Sequence, residues 1–114
     1  MTTPIRIREA AGTWSVRSGG AVLGESKNAL ELSEGDHEPV IYFPREDIAT
    51  ALLDASDKRY QCEHKGEATY YSIVNMSTTT PDAVWSYENP NAVAEQIKGY
   101  LAFQQSDSVK VEQI

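Results

Sequence analysis

Apolar and polar residues alternate along much of this chain with a period of two, the signature of strands that bury one face. Ile5-Arg6-Ile7-Arg8 alternates, and so does Thr13-Trp14-Ser15-Val16-Arg17. Ser18-Gly19-Gly20 reads as a hairpin turn, because glycine tolerates the positive φ that such turns require. Ala21 to Leu23 returns as a strand, and Ala29 to Leu32 continues with Leu30 and Leu32 on one face. Glu34-Gly35-Asp36 is the next turn. Val40-Ile41-Tyr42-Phe43 is a short, fully apolar strand stopped by Pro44. Arg59 to Cys62 and Glu67 to Val74 read as two arms of a hairpin around Glu63-His64-Lys65-Gly66. Met76 to Pro81 reads as a polar loop, Ala83 to Tyr87 as a strand and Val109-Lys110-Val111 as a last alternating strand.

Two stretches change period. Pro44 suits a first helical turn, where its missing N–H has no partner in any case. Glu46 and Asp47 follow, where the helix dipole favours negative charge. Ile48, Leu52 and Ala55 then share a face, which predicts a helix over about 45–55. Asn91 can cap a second helix over about 91–103, with Val93, Ile97, Tyr100 and Leu101 on one stripe. Gly99 inside that stripe costs about 1 kcal/mol relative to alanine, which points either to a close backbone approach or to a frayed end. Eight or so short strands and two short helices lack the β-α alternation of a parallel sheet. The expected fold is mainly β: a single compact antiparallel domain over 1–114, with two short helices covering its edges or faces.

Charge narrows the function classes. Ten lysines and arginines stand against seventeen aspartates and glutamates, a net charge of −7. Such a surface repels phosphate backbones and anionic lipid, so neither nucleic acid nor a membrane is an expected partner. No apolar run is long enough to span a bilayer. The start Met-Thr-Thr-Pro has no basic segment followed by an apolar core, which predicts a cytoplasmic protein. The single cysteine, Cys62, excludes an internal disulfide and any Cys-rich zinc knuckle. No catalytic triad, Walker loop or dinucleotide fingerprint is present, and no cofactor is expected.

Chemistry-bearing residues concentrate between Tyr60 and Tyr71. This stretch holds Cys62, His64 (one of two histidines), Lys65 and a tyrosine-rich run. Cys62 could serve as a nucleophile, its thiolate favoured by Lys65 and a protonated His64, or it could be a half-buried structural residue. Cys62 and His64 make only two of the four ligands that a metal needs, and His37 lies in another turn. Lys65-Gly66 could present an ammonium and backbone N–H groups to an anion, or form an ordinary turn. Alternation sends Tyr70 and Tyr71 to opposite faces. Asp47 and Glu67 are candidate general acids or bases if they face a pocket.

Four stretches together resemble the bacterial and fungal family known as domain of unknown function 427. They are Val40 to Asp47, Cys62 to Tyr71, Ala83 to Tyr87 and Ile97 to Phe103, in that order; the turn Gly24-Glu25-Ser26 adds to the match. The resemblance implies a β-tent fold, the architecture of methionine sulfoxide reductase B and of a mammalian Rab-binding zinc protein. Relatives in that fold often carry two Cys-x-x-Cys knuckles, which this chain cannot form. The family often has proline and then an aromatic or histidine between the cysteine and the lysine. Glu63 stands at the proline position, so the turn is looser and more acidic. The family's nucleotidyltransferase-like label has no matching motif in this sequence.

Three functional readings remain. The first is an aromatic-lined pocket for a small ligand, an anion among the options, built from Tyr42, Lys65, Tyr70, Trp85 and Tyr87 beside Cys62. The second is a non-enzymatic interaction module, which requires an exposed apolar patch or an open strand edge. The third is a thiol enzyme using Cys62. We favour the first, as binding and not as a named reaction.

Overall fold

The computed structural model describes residues 4–75 and 78–114. Among the described residues, ten strands form three antiparallel sheets, and the chain is mainly β. The first sheet has the order β1-β4-β5, with β1 Ile5–Glu9, β4 Leu30–Glu34 and β5 Val40–Tyr42. The second is β10-β2-β3, with β2 Trp14–Ser18, β3 Ala21–Ser26 and β10 Val109–Gln113. The third is β6-β7-β8-β9, with β6 Leu53–Cys62, β7 Gly66–Val74, β8 Thr79–Ser86 and β9 Ala102–Phe103. One antiparallel bridge, between Phe43 and Leu101, joins β5 to β9 and links the first and third sheets.

Turn chemistry sets the register of the β2–β3 hairpin. Gly19 and Gly20 have φ of 56° and 90°, the pair of positive values that a two-residue hairpin turn needs. Gly66, at φ 106°, closes the β6–β7 hairpin after the turn Glu63-His64-Lys65.

Side-chain alternation divides the core in two. On one face Phe43, Ile73, Val84, Leu101 and Phe103 pack with Val16, Leu23 and Val109 of the second sheet. Phe43 and Phe103 meet edge to face, with ring centroids 5.8 Å apart. On the other face Leu32, Tyr42, Ala68, Tyr87 and Ala102 pack with Ala94 and Ile97. Tyr71 packs on the first cluster and Tyr70 on the second, as a period of two requires.

Both expected helices are replaced. The segment 45–55 holds two single 3-10 turns, Arg45–Asp47 and Thr50–Leu52, and then enters β6. Ile48 between them is extended, at φ −113° and ψ 142°, because it bridges Gly24 of β3. The segment 91–103 holds a 3-10 stretch, Ala92–Ile97, broken by non-helical geometry at Ala94. Gly99 ends it: its φ is +76°, and a Cβ there would meet no atom within 4 Å. The positive φ, not a close approach, is therefore what requires glycine. Asn91 does not cap its own turn; its amide donates to the carbonyls of Glu63 and His64, each at 3.3 Å, and so braces the β6–β7 turn.

The strand read as Ala83 to Tyr87 begins earlier, at Thr79. Of the expected loop 76–81, Met76 and Ser77 lie outside the described residues, while Thr79 to Pro81 belong to β8. Pro81 and Asp82 sit at an irregularity in the β7–β8 pairing, where Ser72 Oγ accepts from the Asp82 N–H at 3.1 Å.

β6 is the edge of its sheet, and ten residues of unpaired edge invite pairing with another chain. Arg59 blunts it. Its guanidinium donates to the carbonyls of Ser56 and Lys58, both at 2.8 Å, and the pairing with β7 is interrupted between Ala55 and Arg59. Arg59→Ala should therefore promote self-association more than unfolding. Sedimentation velocity across a concentration series checks this, with a wild-type-like melting temperature expected alongside a shift to larger species.

Candidate functional site

The β6–β7 turn folds back toward the end of β4. Lys65 Nζ donates to Glu34 Oε1 at 2.8 Å, and both side chains are largely buried, at 15% and 19% exposure. The ammonium also lies 5.6 Å from the centre of the Tyr87 ring. Above this ion pair is a cleft of about 450 Å³, lined by Leu32, Glu34, Val40, Tyr60, Cys62 and Lys65, with His37 and Glu38 beside them. Main-chain bonding fixes the turn that presents Lys65: the Asn91 N–H donates to the Lys65 carbonyl at 2.9 Å. The hydrogen bond from Lys65 holds the Glu34 carboxyl below the usual carboxylate range, against the opposing effect of burial, with further charge from Lys65, His64 and His37.

The aromatic residues form a layer next to this cleft. Trp85 Nε1 donates to the Tyr42 hydroxyl at 3.2 Å, and the Tyr70 and Trp85 rings lie 6.4 Å apart at a tilt of 39°. Lys58 Nζ sits 4.6 Å above the Tyr70 ring. Tyr42 and Tyr87 are buried, at 1% and 3% exposure, and so belong to the core beneath the cleft. Burial pushes the Tyr42 hydroxyl up to about 12, opposed by the Trp85 bond, and burial pushes Tyr87 and Tyr70 upward as well. At neutral pH these phenols are uncharged hydrogen-bonding groups, unsuited to proton transfer.

Of the residues singled out in the sequence, Lys65 and Cys62 line the cleft, while Tyr42, Tyr70, Trp85 and Tyr87 share the second core cluster or pack against it. Asp47 and Glu67 are placed elsewhere. Asp47 accepts a hydrogen bond from Ser26 Oγ at 2.6 Å and so ties the 3-10 turn after β5 to the end of β3. Glu67 is exposed on β7, opposite Gln61. Sequence reasoning missed Glu34, Leu32 and Val40. One signal for Glu34 was present: it continues the same-face series of Leu30 and Leu32, which carries it to the cleft end of β4.

A second polar cluster lies around Arg45. Its Nε donates to the Gly99 carbonyl at 3.1 Å and its Nη2 to Ser86 Oγ and Glu88 Oε2, at 3.3 and 3.0 Å. The Tyr71 hydroxyl donates to the same carboxylate oxygen at 2.6 Å, with the guanidinium 5.6 Å from the Tyr71 ring centre. Every partner is internal, so this cluster reads as a clasp between the turn after β5 and the end of β8. Among the described residues, no group of three or more His, Cys, Asp or Glu side chains is arranged to hold a metal ion, and no helix is long and apolar enough to cross a membrane.

The cleft and its ion pair are built from segments spread from β4 to β7, and one family model spans them all. The model described as Domain of unknown function (DUF427) matches residues 6–114. The chain belongs to this family. Nearly the whole DUF427 chain is thus accounted for by one match, including the β6–β7 turn and the Glu34 strand end that meets it. No curated protein matches this chain.

Proposed function

We propose that this DUF427 chain binds a small amphiphilic molecule in the Lys65 cleft. The observation that carries the reading is the Lys65–Glu34 pair, a largely buried ion pair at the end of a cleft whose other walls include Leu32, Val40 and Tyr60. An apolar body would rest on those walls while a polar end exchanges hydrogen bonds with the pair. A ligand that is only anionic must displace Glu34 from Lys65 and also meets Glu38. A neutral or zwitterionic ligand keeps the pair intact, so the reading favours those two classes.

Two observations weigh against the other readings. Among the described residues, the exposed large apolar side chains, Val22, Tyr60, Val93 and Ile114, come from four separate segments, so no single strand or turn presents an apolar face to a partner protein. For thiol chemistry, the lysine that lines the cleft with Cys62 is Lys65, and its charge is committed to Glu34.

Cys62 supplies the test, since it is the single cysteine and lines the cleft. A library of small polar metabolites is screened by ligand-observed NMR, with backbone shifts mapping each hit. Binders should perturb Tyr60, Cys62 and Lys65, and N-ethylmaleimide on Cys62 should block them by filling the cleft. Hits that map elsewhere, or that bind the alkylated protein unchanged, would sink the proposal.

A further inference from the structure

The hydrogen-bonded ladder between β5 and β9 stops after a single bridge, although the two strands stay side by side. Phe43 and Leu101 exchange two main-chain hydrogen bonds of 2.8 Å, and the bridge they form is isolated. In an antiparallel ladder the next hydrogen-bonded pair would be Ile41 and Phe103. Both line a cleft of about 550 Å³ beside this seam. Trp14 and Trp85 line it too, together with Glu31, Glu38, Gln104 and Gln105.

The chemistry of this lining is one-sided. Each indole N–H is already engaged, Trp14 with the Ala11 carbonyl at 3.0 Å and Trp85 with the Tyr42 hydroxyl at 3.2 Å. These bonds engage the polar edge of each indole, so the rings offer a ligand no free N–H donor. No lysine, arginine or histidine lines the cleft. Arg8 pairs with Glu31 at 2.7 Å, whereas Glu38 makes no ion pair among the described residues. Aromatic faces carry negative potential, a carboxylate adds to it, and the net charge of −7 strengthens the field.

We propose that the cleft beside the β5–β9 seam binds a small organic cation, an ammonium head on an apolar body. The head sits against indole and Glu38, and the body against Val40, Ile41 and Phe103. This site is distinct from the Lys65 cleft: Glu38 and Val40 border both, but Cys62 and Lys65 border only the latter, and Trp14 and Trp85 only the seam.

The experiment titrates the protein with benzyltrimethylammonium and follows the two indole N–H resonances. Benzyl alcohol and benzoate serve as the neutral and anionic comparisons. Saturable shifts with the cation alone are expected, weakened roughly fivefold in Glu38→Gln, an exposed position that leaves the fold intact. Protein alkylated at Cys62 should bind the cation as before, which separates this site from the Lys65 cleft whatever becomes of the latter. The proposal is overturned by an absence of saturable shifts, by equal binding of benzyl alcohol or benzoate, or by an unchanged affinity in Glu38→Gln.

Discussion

Lys65→Met should destabilise the fold by about 2–3 kcal/mol, although a turn lysine is ordinarily among the most replaceable residues of a protein. Breaking a buried ion pair leaves the surviving charge desolvated and unpaired, which costs roughly 3–5 kcal/mol when burial is complete. Here the side chains keep 15% and 19% exposure, so the expected figure falls somewhat lower. The double variant Lys65→Met/Glu34→Gln should recover most of the loss, because no buried charge is left behind. Urea denaturation followed by tryptophan fluorescence measures both. The effect has a defined pH dependence. The Glu34 carboxyl is held below its ordinary value of 4.5 in the folded chain, so its contribution is present at neutral pH and fades as pH falls through the lowered value. The gap between wild type and Lys65→Met should therefore narrow in acid. A gap that stays constant from pH 7 to well below 4.5 would mean that Lys65 acts through packing on Tyr87 and not through its charge.

The strands were legible because alternation is a local signal. Ile5 to Arg8, Thr13 to Arg17 and Val109 to Val111 each show it within five residues, and Gly19-Gly20 supplied the turn chemistry that places one hairpin. The helices were misread for a reason that is equally physical. Ile48, Leu52 and Ala55 have helical spacing, yet Ile48 is held extended by its bridge to Gly24, a contact absent from the local sequence. Leu53 to Ala55 then pair with Tyr71 to Ile73 of β7, so tertiary pairing overrides the periodicity. At the other end, Leu101 lies on the helical stripe but pairs with Phe43, and Gly99 at positive φ makes the change of course possible.

The candidate cleft was half legible in the sequence. Lys65 and Cys62 stood out because reactive residue types are rare in this chain and crowd into one turn. Glu34 did not, because it lies 31 residues away and the ion pair exists only once the first and third sheets are joined. The sequence places Tyr42, Tyr70, Trp85 and Tyr87 in the lining of one pocket. Tyr42 and Tyr87 lie in the core instead, since the Ala92–Ile97 stretch brings Ala94 and Ile97 onto the same face of the sheet and closes it over them. A strand pattern says which side chains share a face, but not what covers that face.

The joint between β3 and the segment after β5 can be probed at Gly24, where Gly24→Ala should cost about 3 kcal/mol or more. Its backbone needs no positive φ, so conformational freedom is not the issue. A Cβ would instead fall far inside contact distance of the Asp47 carbonyl oxygen and 2.8 Å from Ile48 Cδ1. The first of these is main chain and cannot rotate away. The neighbouring residues are pinned by the Ala49 N–H donating to the Leu23 carbonyl at 2.8 Å and by Ser26 bonded to the Asp47 carboxylate. Overpacking against a held backbone costs roughly 1–3 kcal/mol and more where nothing can yield. Gly20→Ala is the control: its φ is +90°, but a Cβ there meets open space, so only the conformational cost of about 1 kcal/mol applies. Thermal unfolding of the two variants should place Gly24→Ala well below Gly20→Ala. Equal melting temperatures would show that the segment from Pro44 to Ala49 can slide. The Phe43–Leu101 bridge would then be held in place by the core packing of Phe43 and Leu101 and not by the anchoring of that segment to β3.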